Sequence, residues 1–116
     1  MKPPRIEAYH FGHVTIDGLE YHKDVIILPD RVISNWRRRS GHSLIMDDLK
    51  EILASPSKIL VIGRGASSRM NVPNQTVRAL ESGGIEVQSL PTMEACTLYN
   101  RLRDRGNTAA ALHLTC

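Results

Sequence analysis

From Lys58 onward, apolar runs and helical patterns take turns along the chain. Ile59 to Ile62 is an unbroken apolar run, as expected of a strand buried on both faces. Gly63-Arg64-Gly65 follows at once. Pro73 suits a first helical turn, with Asn71 placed to cap it and Val77 and Leu80 as its inward residues. Gly83-Gly84 ends that helix. Ile85, Val87 and Ser89 share one face of the next strand. Pro91-Thr92 opens a second helix, whose apolar stripe is Ala95, Leu98 and Leu102. Gly106 closes it, and Thr108 to Thr115 reads as a last strand. Strand, helix, strand, helix, strand is the pattern of an α/β domain with a parallel sheet and crossover helices.

The first half of the chain adds strands to this unit. Ile6 to Phe11 and His13 to Ile16 read as strands, and Asp17-Gly18 is a hairpin turn that returns Leu19 to Tyr21 antiparallel. The hairpin either packs on a sheet edge or forms a small β layer of its own. Val25 to Leu28 is a second buried strand, ended by Pro29-Asp30, and Val32 to Trp36 reads as another. Asp47-Asp48 sit where carboxylates favour a helix start, ahead of a short stripe of Leu49, Ile52 and Leu53. The chain is 116 residues long. That length is one domain, residues 1–116, of a size that buries a core without staples.

Composition removes several classes of function. The longest apolar runs are four residues, such as Val25 to Leu28, against about 20 for a membrane-spanning helix, so no membrane span is expected. Met1-Lys2-Pro3-Pro4-Arg5 leads into no apolar stretch and is not a signal peptide. Cys96 and Cys116 match no zinc or redox spacing, and two thiols without a leader imply a reducing, cytoplasmic setting. The net charge is only +3, and aromatic residues make up 4% of the chain. Arg37-Arg38-Arg39 is the densest basic run, yet duplex readers cluster more cations and single-strand binders stack bases on aromatics. Specific nucleic-acid binding is therefore not expected, and the run reads as a solvated face.

Ligands of open α/β sheets sit beyond the carboxyl ends of the parallel strands. That rule gathers Pro29, Gly63-Arg64-Gly65, Pro91-Thr92 and His113 to Cys116 at one rim. Gly63, Arg64, Gly65, Ser67, Ser68, Thr92 and His113 make up a candidate binding site for an anion or small molecule. The glycines either turn backbone N–H groups toward an anion or simply permit a tight strand exit. The run lacks the third glycine of a dinucleotide fingerprint and the Gly-Lys-Ser/Thr of a phosphate-binding loop. No cofactor is expected. Catalytic and metal-binding constellations are also missing. His10 and His13 would face opposite sides of one regular strand, unless Gly12 introduces a bulge. His113 and Cys116 lie at odd spacing on the last strand, so they are not expected to form a nucleophile–base pair unless the last residue turns, whereas His113 and Thr115 share a face. A candidate partner surface comprises Trp36, Arg37, Arg38, Arg39, His42 and Asn100. Trp36 there is either core packing or a hot spot. Asn100, about 150° around the helix from the apolar stripe at 100° per residue, faces outward or toward a neighbouring loop.

Several pieces taken in order resemble the Mth-type domain family, small proteins of unknown function typified by a methanogen protein. They are Tyr9-His10-Phe11-Gly12, Asp24-Val25-Ile26-Ile27, Trp36, Gly41-His42, Ile62-Gly63-Arg64-Gly65, Thr92-Met93-Glu94-Ala95, Tyr99-Asn100 and His113-Leu114-Thr115-Cys116. Arg64 departs from the pattern, since many members carry a smaller residue there. The resemblance implies a three-layer α/β fold with a mixed central sheet and an extra β-hairpin. It brings no established reaction and no cofactor. Its best-known role, in mitochondrial assembly of the respiratory NADH dehydrogenase, implies a non-enzymatic interaction or assembly protein with a protein partner. The alternative is a small-molecule or anion binder, or an enzyme, that uses the rim.

Overall fold

The computed structural model describes residues 3–40 and 42–116. Met1 and Lys2 of the N-terminal segment, and Gly41 of the Gly41-His42 pair, lie outside the described residues. Strands β1 (Ile6–His10), β2 (His13–Ile16) and β3 (Leu19–Tyr21) form a three-stranded antiparallel sheet. The β2–β3 turn works as its sequence demands: Asp17 and Gly18 both take positive φ, 49° and 82°. The second sheet holds β4 (Val25–Leu28), β5 (Arg31–Ile33), β6 (Ile59–Gly63), β7 (Glu86–Leu90) and β8 (Thr108–Leu112). Its order is β5-β4-β8-β6-β7. β6 pairs parallel with both β7 and β8, while β4 runs antiparallel to β8.

The helices cover the two faces of this mixed sheet. A 3-10 turn at Met46–Leu49 runs into α1 (Lys50–Leu53), followed later by α2 (Asn74–Ser82) and α3 (Thr92–Leu102). Alternate strand residues feed two cores, as the period of two requires. Ile26, Leu28, Leu60, Ile62, Ala109 and Ala111 pack with Leu49, Ile52 and Leu80 beneath α1 and α2. Val25, Ile27, Val61, Ala110 and Leu112 pack with Ala95, Cys96 and Tyr99 of α3 and with Ile6, Val14 and Ile16 of the small sheet. The hairpin thus forms its own β layer beside α3, and the three-layer α/β architecture expected from the sequence is present.

Some details differ from the expectation, each for a local reason. Because β4 is antiparallel to β8, its carboxyl end and Pro29 lie at the opposite rim from Gly63. The residue at the Gly63 rim is Asp24, just ahead of β4. β5 ends at Ile33, and Trp36 drops into the core, its Nε1–H donating to Asp48 O at 2.9 Å. Asn71 caps nothing. Its backbone bridges to Ser43, and Pro73 occupies the N-cap position. The buried stripe of α3 is Thr92, Ala95, Cys96 and Tyr99, with Leu98 and Leu102 at its half-buried margin. The stripe follows the two-sided demand of sheet and hairpin, because Tyr99 reaches between them to donate to Pro4 O at 2.7 Å. Leu53 is 46% exposed rather than inward. β1 stops at His10, so Phe11-Gly12 form a turn and His10 lies opposite His13 with the rings stacked 5.1 Å apart. The single-strand argument that put them on opposite sides failed at that turn.

Candidate functional site

β8 ends at Leu112, not at Thr115, and the residues after it leave the sheet to cross the rim. Their backbone groups are satisfied in part by Gly63 and Thr92 of the expected rim site and in part by neighbours outside it, such as Ala66 and Arg69. The His113 N–H donates to Gly63 O at 3.0 Å. Thr92, fully buried at the start of α3, bridges two segments. Its hydroxyl donates to His113 O at 2.6 Å and accepts from the Gly65 N–H at 2.8 Å. The Ala66 and Arg69 N–H groups donate to Thr115 O and Cys116 O. Both glycines are required by this approach. A Cβ on Gly63 would sit 2.9 Å from the Thr92 hydroxyl oxygen, and one on Gly65, where φ is +106°, would collide with the Cys116 carbonyl.

The N–H groups of Gly65, Ala66 and Arg69 are thus committed to the chain itself. Arg64, Ser68 and Met70 donate to Leu90 O, Gly65 O and Arg64 O. The close approach of the terminal segment requires a glycine at both positions. Ser67 is exposed. Cys116 is exposed as well, and its backbone carbonyl rather than its thiol engages the loop.

A charged cluster holds the other side of the terminal segment. Asp24 Oδ2 lies 2.8 Å from His113 Nδ1 and 2.8 Å from Arg38 Nη1, and Asp24 Oδ1 accepts the Leu114 N–H at 2.8 Å. Burial opposes ionisation of Asp24. The hydrogen bonds from His113, Leu114 N–H and Arg38 outweigh it and hold the carboxyl below the ordinary carboxylate range. An ionised Asp24 fixes the His113 tautomer with its proton on Nδ1. Arg38 Nη2, 3.1 Å from that nitrogen, is then a packed neighbour and not a donor to the ring. The Arg38 guanidinium also stacks on Trp36, 4.8 Å from the ring centroid. Tyr9 OH and the Gly12 N–H both donate to Leu114 O, so the small sheet is pinned to the same segment.

A sequence profile described as "Protein of unknown function (DUF498/DUF598)" matches residues 6–113, from the first strand of the small sheet to the histidine of this cluster. The chain belongs to this family. Solved structures agree with the membership. The conserved hypothetical protein PH1505 from Pyrococcus horikoshii OT3 is 29% identical, with a TM-score of 0.84 over 97% of this chain and 99% of that one. A structure called MT938 is 26% identical, with a TM-score of 0.77 over 97% and 99%. A Bordetella pertussis protein described as a Mth938-like domain shares the fold at 18% identity, a TM-score of 0.75 and coverage of 96% and 85%. The resemblance read from the sequence was to this family. Asp24 opens one of the pieces that carried it, but no spacing rule tied Asp24 to His113, 89 residues away.

The candidate partner surface of this DUF498/DUF598 member disperses. Trp36 is only 7% exposed, which removes it as a surface hot spot. Arg38 is bound to Asp24, while Arg37 and Arg39 are exposed, the latter 3.6 Å from Asp47. The exposed His42 stands edge-on to His113, with centroids 6.4 Å apart. Asn100 faces β1, where its side-chain amide brackets Ile6, accepting from its N–H at 3.0 Å and donating to its O at 2.7 Å. Asn100 therefore acts as an adhesive for the small sheet.

The Arg64 side chain turns away from the terminal segment. With Ser68, Arg69, Asn71, Asn74 and Ser89 it lines a cleft of about 410 Å³ on the α2 side of the sheet.

Proposed function

We propose that this chain is a non-enzymatic interaction protein that accepts an extended segment of a partner polypeptide along β7. The observation that carries the reading is the unequal finish of the two edges of the five-stranded sheet. β5 is three residues long and follows Pro29 and Asp30 with Arg31, which is how an edge is closed against pairing. β7 is five residues long, carries one charge, Glu86, and among the described residues has no strand on its outer side. Beside it Leu90, Met93, Thr97 and Leu98 line an apolar groove flanked by Glu94 and Arg101. Met93 is 64% exposed. An open backbone edge takes up a strand by main-chain hydrogen bonds, and a neighbouring groove with a flexible methionine selects its side chains.

The rim supports a non-enzymatic reading. Its one histidine–carboxylate pair, His113 and Asp24, holds the terminal segment, and among the described residues no nucleophile meets His113 Nε2. A general base must come within about 2.6–3.2 Å of the proton it takes. The assembly role implied by the family resemblance points the same way. The test is capture of a protein from native extract, followed by hydrogen exchange on the complex. The bound partner should slow exchange at residues 86–90 and be lost with Met93→Asp, but kept with Leu53→Asp, an equally polar change on exposed α1. Equal capture by all three proteins would defeat the proposal.

A further inference from the structure

We infer that the cleft at the carboxyl ends of β6 and β7 binds the phosphate group of a small phosphorylated molecule. The inference does not depend on docking at β7. Topology places a crevice there. The connection from β6 leads to α2 on one face of the sheet, and the connection from β7 leads to α3 on the other. Adjacent strands whose connections part in this way leave an opening outside their carboxyl ends, and that is where open α/β sheets hold ligands.

The chemistry of the lining is one-sided. Arg64 and Arg69 face the cleft with the hydroxyls of Ser68 and Ser89 and the amides of Asn71 and Asn74, and among the described residues no carboxylate lines it. Neither arginine forms an ion pair among the described residues. Two polar atoms of this wall, Arg64 Nε and Ser89 Oγ, are buried without a hydrogen-bond partner among the described residues. Buried polar atoms are rarely left unpaired, and two on one wall mark a missing partner. A guanidinium Nε–H can only donate, so the partner must be an acceptor, which excludes a cation. α2 begins at Asn74 on the same wall, and its positive end adds to the field. A phosphate offers several acceptor oxygens to this fan of donors, more than a carboxylate does. Val72 and Val77, half-buried among the lining residues, add apolar surface for the organic part of the molecule.

The test is a titration of the full chain, followed by NMR of backbone amides and of the arginine Nε–H signals, at physiological salt. The probes are glycerol 3-phosphate, inorganic phosphate and acetate. Glycerol 3-phosphate should shift Arg64 Nε–H and the Ser89 amide to saturation, and bind about tenfold tighter than inorganic phosphate, whereas acetate should not saturate. Arg64→Ala and Ser89→Ala should each weaken binding about tenfold, and Arg64→Lys should recover only part of it, because a point charge replaces a fork. Spectra of α3 residues, unchanged in all variants, would show that the fold is intact. No saturable shift with either phosphate, or saturable binding that Arg64→Ala and Ser89→Ala leave unaltered, would overturn the inference. Equal affinity for the two phosphates would overturn the organic half of it.

Discussion

The loop after β6 faces two ways with alternate residues. Gly63 and Gly65 turn toward the terminal segment, where the Gly65, Ala66, Arg69 and His113 N–H groups and the Thr92 hydroxyl have each met an acceptor of the chain itself. Arg64, between them, turns toward α2, where its Nε has met none among the described residues. One stretch of Gly-x-Gly thus serves a closed side and an open side. A glycine-rich loop at a strand end is read as a cradle for anions because its N–H groups can be exposed. Here the chain supplies acceptors for the N–H groups of Arg64, Gly65, Ala66, Ser68 and Arg69, and side chains face the cleft. The local sequence is the same in both cases; what differs is a segment about 50 residues downstream.

The closed side should break most readily at Asp24. Asp24→Ala leaves Arg38 and His113 without their carboxylate and the Leu114 N–H without an acceptor. Removing one partner from a buried charge cluster costs about 3–5 kcal/mol, measurable by urea unfolding near neutral pH. The same residue gives a pH signature. Its carboxyl titrates lower in the folded chain than in the unfolded one, where the ordinary value is 3.8. On acidification the unfolded chain takes up the proton first. The stabilisation is therefore complete above about pH 5, starts to fade as pH nears 3.8, and is gone below the folded value. Asp24→Asn should lack this component, so its stability should fall less steeply with acid than that of the wild type. Parallel slopes would mean that Asp24 is not ionised in the folded chain.

Gly65→Ala comes next. A Cβ there meets the Cys116 carbonyl, and the +106° φ disfavours any L side chain. Strain and displacement of the terminal segment together should cost roughly 2–4 kcal/mol. A smaller loss would show that the terminal segment yields easily, and the contrast between the two sides would shrink. Thr92→Val keeps the shape and deletes the hydroxyl that joins His113 O to the Gly65 N–H. It should cost about 1–3 kcal/mol, since both backbone groups would be left buried and one bond short. Thermal unfolding of the three variants at matched pH places them in order.

The fold was legible where periodicity governed it. The β6-α2-β7-α3-β8 order and the Asp17-Gly18 turn follow from apolar runs and glycine positions that act over a few residues. The site was legible only as a neighbourhood. Gly63, Arg64, Thr92 and His113 do converge, because the carboxyl ends of parallel strands must. Their roles were hidden, because whether an N–H is free depends on Thr115 and Cys116, which left the strand instead of continuing it. Asp24 was hidden for a similar reason: reading β4 as parallel put Pro29 at the rim in its place. Orientation of a single buried strand is not written in an apolar run such as Val25 to Leu28, since a strand buried on both faces looks the same in either direction. Trp36 shows the limit for a single residue. Its neighbours Arg37 to Arg39 suggested a surface, but its indole N–H finds the Asp48 carbonyl and buries it.

The smallest effect belongs to the open side, and it has the opposite character. Ser89 sits at the end of β7 opposite Ile62, whose side chain packs into the core on the α2 face. Its hydroxyl oxygen is enclosed, but no donor or acceptor reaches it among the described residues. A buried hydroxyl without a partner is a standing cost to the folded state, so deleting it loses no hydrogen bond. Ser89→Ala should leave stability within about 0.5 kcal/mol of wild type or raise it by up to about 1 kcal/mol. Set beside Thr92→Val, this pair of conservative changes compares two hydroxyls on one rim, one with its hydrogen bonds made and one without. Urea unfolding in phosphate-free buffer measures both. The difference should narrow in the presence of glycerol 3-phosphate, because a ligand held by Ser89 adds to wild-type stability what the variant cannot recover. A loss above about 1 kcal/mol for Ser89→Ala in phosphate-free buffer would mean that the hydroxyl already has a partner within the protein, and the rim would then have no open side.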